Sequence, residues 1–151
     1  MKKIICCFLL FVTLGCSKDD DSGSSSSETF LQKYDGIGFE ENDAQYPSYM
    51  YFYDSNIFIK NPVYDFDLDG HDCQEITEGV SETILGNITV KIITNNSTSL
   101  KLESTVLGFA TTSEFSVNSS GEILSVTNDF MGEKETITYT KTNIPYSQIC
   151  D

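Results

Sequence analysis

The chain has 151 residues, and 23 Asp and Glu against 9 Lys and Arg give it a formal charge of −14 and an isoelectric point near 4.2. So acidic a surface repels polyanions, which argues against nucleic acid or an anionic membrane face as a partner. The apolar fraction of 39%, with no tryptophan, supplies one modest core and hence one domain.

Residues 1–15, MKKIICCFLLFVTLG, run from two lysines through an apolar stretch too short to span a bilayer as a permanent helix, and end on a small residue before Cys16. That is the pattern of a secretory signal peptide. Leu14 and Gly15 ahead of Cys16 resemble the lipobox of bacterial lipoproteins, with Thr13 at the position where the lipobox leucine is expected. Ser17-Lys18-Asp19-Asp20-Asp21 is similar to the lysine-plus-acid signal that sends such lipoproteins to the outer face of the outer membrane. The resemblance implies a lipid on the Cys16 thiol, anchorage through buried acyl chains and exposure at the cell surface. The alternative is a plain secreted protein with Cys16 unmodified.

Residues 17–28, SKDDDSGSSSSE, offer only serine, glycine, lysine and acid; they cannot bury a core and are expected to form a disordered tether. The globular domain is expected over 29–151. Loss of Lys2 and Lys3 with the signal leaves seven lysines against 23 acids, a formal charge of −16 on the mature chain. This charge favours either a cationic partner or simple solubility at a crowded surface.

Five cysteines sort by position. Cys6 and Cys7 leave with the signal, Cys16 takes the lipid, and Cys73 and Cys150 remain as an even pair in an exported domain, which points to a disulfide. In the entropic picture so long a loop constrains the unfolded chain by roughly 4–5 kcal/mol. A nucleophilic Cys150 is the competing reading, but His71 is the single histidine and no base for the thiol is identifiable.

A short helix is expected in ETFLQKYDG, with Phe30, Leu31 and Tyr34 placed to plug one end of a barrel. From Gly36 onward the apolar period is two. SYMYFYD puts Tyr49, Tyr51 and Tyr53 on one face and Met50 and Phe52 on the other, and Asp54-Ser55-Asn56 turns the chain into Ile57-Phe58-Ile59, a β-hairpin. SETILGNITVKIIT suggests two strands joined at Gly86-Asn87, the second aligning Ile88, Val90 and Ile92. Leu100 and Leu102 then oppose Lys101 and Glu103, and Phe115 and Val117 alternate with Glu114 and Ser116. A turn at 118–121 leads to Leu124 and Val126, and Met131-Gly132-Glu133 turns into a last strand with Ile137 and Tyr139 on one face. The expectation is an all-β, antiparallel up-and-down meander of about eight strands, closed into a barrel so that no edge stays unpaired.

FLQKYDGIGFEEN at the first strand, SEFSVNSSGEILSVTNDFMGEKETITYTKT as closing hairpins, and cysteines in mid-chain and at the end resemble the lipocalin-like domains of small Bacteroidetes lipoproteins. The resemblance implies a lipocalin-like barrel with a ligand-binding or accessory role. Lipocalins proper carry a Gly-any-Trp element on the first strand; here Gly36-Ile37-Gly38-Phe39 offers Phe39 in its place.

YDFDLDGHDC, residues 64–73, spaces Asp65, Asp67 and Asp69 ahead of Gly70 as the first half of a calcium loop does, with the His71 carbonyl and Asp72 as further oxygen donors. The twelfth position falls on Ile76 and the flanks are not helical, so the loop is not an EF-hand. It either binds calcium weakly or serves as an acidic inter-strand turn. A zinc site at His71 lacks a ligand set. The Tyr49, Tyr51, Tyr53 stripe is the candidate contact face, since a tyrosine offers both an apolar ring to a sugar and a hydroxyl; ordinary cross-strand packing is the alternative.

No nucleophile with a histidine base and no phosphate-cradling glycine loop is present, so no catalysis is expected. The functional expectation is a non-catalytic binding module for a small apolar molecule in the barrel or a glycan over the tyrosines. The alternative is a protein-interaction module or inhibitor whose acidic face docks a cationic protein, as some small disulfide-bonded lipoproteins inhibit lysozyme. A cup lined by Met50, Phe52, Phe115 and Val117 favours the first, and a filled barrel the second.

Overall fold

The computed structural model describes residues 27–42, 44–83 and 86–150. The expected signal peptide, Cys16 and all but the last two residues of the expected tether lie outside that range. The domain opens with helix α1 (Phe30–Lys33), whose first turn is held by a capping box. The Thr29 hydroxyl accepts from the Gln32 backbone N–H at 3.3 Å, and the Gln32 side chain accepts from the Thr29 N–H at 3.1 Å. Ten strands follow: β1 (Gly38–Glu41), β2 (Tyr49–Phe52), β3 (Ile57–Asp65), β4 (Gly70–Thr77), β5 (Gly79–Thr83), β6 (Gly86–Asn95), β7 (Ser99–Val106), β8 (Phe109–Val117), β9 (Ile123–Phe130) and β10 (Glu133–Thr142). A C-terminal turn of helix, α2 (Tyr146–Ile149), ends the chain.

All the strand pairs are antiparallel and form one sheet in the order β4-β3-β2-β1-β10-β9-β8-β7-β6-β5. The first and last strands thus meet through the β1–β10 pair, while the two sheet edges, β4 and β5, are joined by the single residue Glu78. That one-residue corner brings the edges together and nearly closes the barrel. Gly79 supplies the corner with φ of +114°, and the Glu78 carboxylate accepts the Ile92 backbone N–H at 3.2 Å. Irregular register at Ile57/Ile59 in β3 and Ile92/Thr94 in β6 bends the strands on either side of it.

The strand count exceeds the expected eight. The strand missed by periodicity is β4, GHDCQEIT, which shows no apolar alternation: on its inward face Asp72 and Gln74 are exposed and only Ile76 packs against the core. The expected turn at Gly86-Asn87 is not there: both residues are in β6, paired with Thr83 and Glu82, and residues 84 and 85 lie outside the described range.

A meander sends its turns alternately to two ends. The end carrying α1 is filled. Phe30, Phe39, Phe52, Leu100 and Leu124 are completely buried, and the Phe30, Phe39 and Phe115 rings surround Phe52 edge-to-face at 5.2, 6.1 and 5.8 Å. Phe30, Leu31 and Tyr34 plug this end as the sequence suggested, and the Asn95 side chain accepts the Leu31 backbone N–H at 3.2 Å.

Towards the other end the inward positions become polar. Leu102, Ser113, Asn128 and Glu135 form one cross-strand row, and Asn61 opposes Gln74. Ser113 donates to Asn128 at 2.7 Å, and Gln74 to Asp72 at 3.0 Å. Among the described residues, the Asn61 side-chain oxygen is buried there without a hydrogen-bond donor.

Candidate functional site

The tyrosine stripe lies on the outer face of β2, as its period predicts, but it is a packed surface. The C-terminal segment crosses it. The Tyr51 hydroxyl donates to the Ile144 carbonyl at 2.7 Å, and the Tyr146 ring stands edge-on to Tyr51 at 5.7 Å. Tyr51 keeps 2% of its surface exposed, and Tyr49 is buried with it. Burial, with smaller contributions from Tyr49, Tyr53 and Glu40, pushes the Tyr51 hydroxyl up to about 12.

Two further contacts fasten this strap. Lys60, paired with Glu75 at 2.9 Å, sits over the Tyr146 ring at 4.5 Å. Cys73 on β4 and Cys150 are at disulfide-bonding distance, with Cα atoms 6.0 Å apart, as the cysteine sorting required. What remains open beside the stripe is a cleft of about 430 Å³ where Tyr51 and Tyr53 meet residues 143–146.

The aspartate loop is the β3–β4 hairpin turn. The Asp65 carboxylate accepts the backbone N–H groups of Asp67 and Leu68 at 2.8 and 3.3 Å, and Asp69, in a left-handed conformation with φ of +47°, accepts the Tyr64 hydroxyl at 2.7 Å. His71 and Asp72, adjacent on β4, point to opposite faces of the sheet. The His71 ring packs edge-on to Tyr49 and Tyr64 at 5.4 and 5.5 Å, with Nε2 at 3.1 Å from the Pro47 carbonyl. The hairpin itself already occupies two of the carboxylates expected to hold calcium, since those of Asp65 and Asp69 accept hydrogen bonds from within the turn and from Tyr64. Among the described residues no three His, Cys, Asp or Glu side chains converge in a way that could hold a metal ion.

A feature the sequence reading missed lies at the barrel end opposite α1. The turns at the α1 end, 54–56, 96–98 and 118–121, contain only Asp, Ser, Asn, Thr and Gly. At the opposite end the β1–β2 loop carries Tyr46, the β3–β4 turn Phe66 and Leu68, the β7–β8 hairpin Leu107 and Phe109, and the β9–β10 hairpin Phe130 and Met131, every one of them exposed. Leu107, Met131 and Phe66 have 72, 75 and 75% of their surface in solvent.

These side chains form two patches. Tyr46 stacks on Tyr64 at 4.4 Å, and Phe66 meets both rings edge-on. Across the mouth, Phe109 and Phe130 stand 6.4 Å apart on neighbouring strands.

Backbone geometry marks the second patch further. Leu107-Gly108 and Met131-Gly132 are two-residue turns with both φ positive, +51° and +85° in one and +55° and +90° in the other. Such turns favour Asn-Gly or Asp-Gly, and a leucine or methionine held in the left-handed region costs roughly 1–2 kcal/mol. The signal was legible in VLGF and FMGE, where a large apolar residue replaces the usual Asn or Asp before glycine.

Comparison with protein-family models, with curated proteins and with solved structures finds no match for the chain. The site must be read from its own geometry. Besides the 430 Å³ cleft, two clefts of about 540 and 620 Å³ lie at the α1 end and at the Glu78 corner, and none of the three is lined by Phe39, Phe52, Phe115 or Leu124.

Proposed function

We propose that this chain is a non-catalytic, surface-anchored module whose partner is a protein, not a small molecule carried inside the barrel. The observation behind this reading is the filled α1 half. Met50, Phe52 and Phe115, three of the four residues that would line an apolar cup, belong with Phe30 and Phe39 to the buried core and are not free to line one, while the fourth, Val117, is half-buried beside the open cleft at the α1 end. The burial of Tyr51 beneath the strap and of Tyr49 against His71 argues in the same direction, since these two rings are not free to stack on a sugar.

The signal peptide, the lipobox-like Leu14-Gly15-Cys16 and the acidic tether support outer-membrane anchorage with the domain facing outward. The resemblance to lipocalin-like lipoproteins supports the binding role. The tether enters the domain at α1, at the end opposite the apolar rim, so the rim is free to meet a partner beyond the anchoring membrane.

Native mass spectrometry of the exported, oxidised protein tests the reading. The bare chain is expected; a stoichiometric organic mass that co-purifies and leaves on denaturation would return the barrel to the carrier class. Metabolic labelling with a fatty-acid analogue tests the anchor, with label expected on the native chain and none on Cys16→Ser.

A further inference from the structure

We infer that the apolar rim opposite α1, formed by Leu107, Phe109, Phe130 and Met131 on one side of the barrel mouth and Tyr46, Phe66 and Leu68 on the other, docks a protein segment that presents apolar and basic side chains together. This rests on the protein-partner reading above and gives that partner a surface and a chemistry.

Three observations converge. Seven of the nine large apolar side chains exposed among the described residues lie at this one end. Chance scatter over a surface does not empty one set of turns of apolar residues and load the other. Second, Leu107 and Met131 occupy left-handed positions that asparagine or aspartate would fill with less strain. Local strain retained in order to present a large exposed side chain marks a position where the side chain serves something other than the fold.

Third, the charges around the rim select the occupant. Asp65, Asp67, Asp69 and Asp72 flank one patch and Asp129, Glu133 and Glu135 the other, whereas Lys134, the lysine of the β9–β10 hairpin, is paired with Asp129 at 3.7 Å. Inside the mouth the inward row adds Glu41, Asn128 and the undonated oxygen of Asn61. This lining is rich in acceptors and calls for a partner rich in donors. A lysine or arginine can enter between the two patches while apolar neighbours cover the rim. A second copy of the chain, carrying the same strong excess of acid, and an anionic bilayer are both repelled.

The test measures binding of the exported, oxidised protein to an immobilised amphipathic Leu–Lys helical peptide, with the matching Leu–Glu peptide, phosphatidylcholine vesicles and sedimentation of the protein alone as the other arms. The Leu–Lys peptide is expected to bind, more weakly as salt rises, and the Leu–Glu peptide and vesicles are not. Leu107→Asn with Met131→Asn relieves the turn strain, so the melting temperature is expected to stay or rise while affinity falls at least tenfold. Phe66→Ser with Leu68→Ser, on the other patch, gives an independent reading with a loss of similar size.

Binding of the Leu–Lys peptide that is unchanged in both double variants, or absent altogether, overturns the inference. So do preferential binding to vesicles or to the Leu–Glu peptide, and self-association through the rim. A bare chain in native mass spectrometry together with a silent rim would sink this inference alone, whereas a co-purifying organic mass would sink the reading beneath it.

Discussion

Gly38 faces Tyr51 directly across the β1–β2 pair, and the tyrosine ring covers the bare Cα of the glycine. A Cβ at position 38 would overlap Cε1 and Cδ1 of that ring. The aromatic ring thus substitutes for the side chain that β1 lacks, and the same ring carries the C-terminal strap through its hydroxyl. Gly38→Ala should therefore cost about 1–3 kcal/mol by forcing Tyr51 off its site. Urea unfolding of Gly38→Ala, Tyr51→Ala and the double variant checks this: most of the glycine penalty should vanish when the ring is gone, and additive penalties would refute the contact.

The strap depends on Cys73–Cys150 more than on its own short helix. α2 is a single turn with no side-chain cap and no buried residue, so its packing alone is weak. Replacing both cysteines by serine is expected to lower stability by roughly 2–5 kcal/mol. Amide exchange should report where: faster exchange confined to the strap and β2–β4, with α1 and β7–β10 unchanged until global unfolding.

In the β3–β4 hairpin the aspartates differ in what they hold. Asp65 accepts two backbone N–H groups, so Asp65→Ala should cost about 1 kcal/mol, whereas Asp67, whose backbone is the donor, should tolerate alanine within about 0.5 kcal/mol. Thermal melts of the two variants with and without millimolar calcium make the comparison. A turn role predicts this ranking in both conditions, and a melting temperature raised by calcium in the native chain but not in the variants would restore the metal reading.

Alkali should unfold the domain through its tyrosines. Burial, with Glu41 adding to it, pushes Tyr139 up to about 12, and Tyr51 rises to the same level under the strap. A folded-state value above the unfolded value of about 10 means that the unfolded chain loses its protons first. The associated stability is whole below pH 10 and lost as pH rises towards 12. Absorbance titration at the phenolate band should show tyrosines ionising late, together with unfolding, and Tyr139→Phe should move the onset of alkaline unfolding to higher pH.

Much of the barrel was legible in the order of residues. Alternation in SYMYFYD, SLKLES and ETITYTK, the turn at Asn118–Gly121 and the plug residues Phe30, Leu31 and Tyr34 all stand in the structure as read, because each depends on side chains within a few positions of one another. β4 escaped detection because its partners, not its composition, make it a strand: Cys73 opposes Pro62, and Glu75 pairs with Lys60. The candidate site was less legible still. Period two put the three tyrosines on one face, but the cover of Tyr51 arrives from Ile144 and Tyr146, almost a hundred positions away, and the aspartates that line up in sequence are drawn into the hydrogen bonding of a hairpin turn.

The sequence by itself determined the acidic surface, the pairing of Cys73 with Cys150 and the all-β period, since these follow from composition and local spacing. Only the tertiary structure decided which barrel end is filled, which face the strap covers, and that Leu107 and Phe130 share one rim with Phe66. A meander sends alternate turns to the same end, so side chains tens of residues apart become neighbours through a topology that no short window of sequence contains.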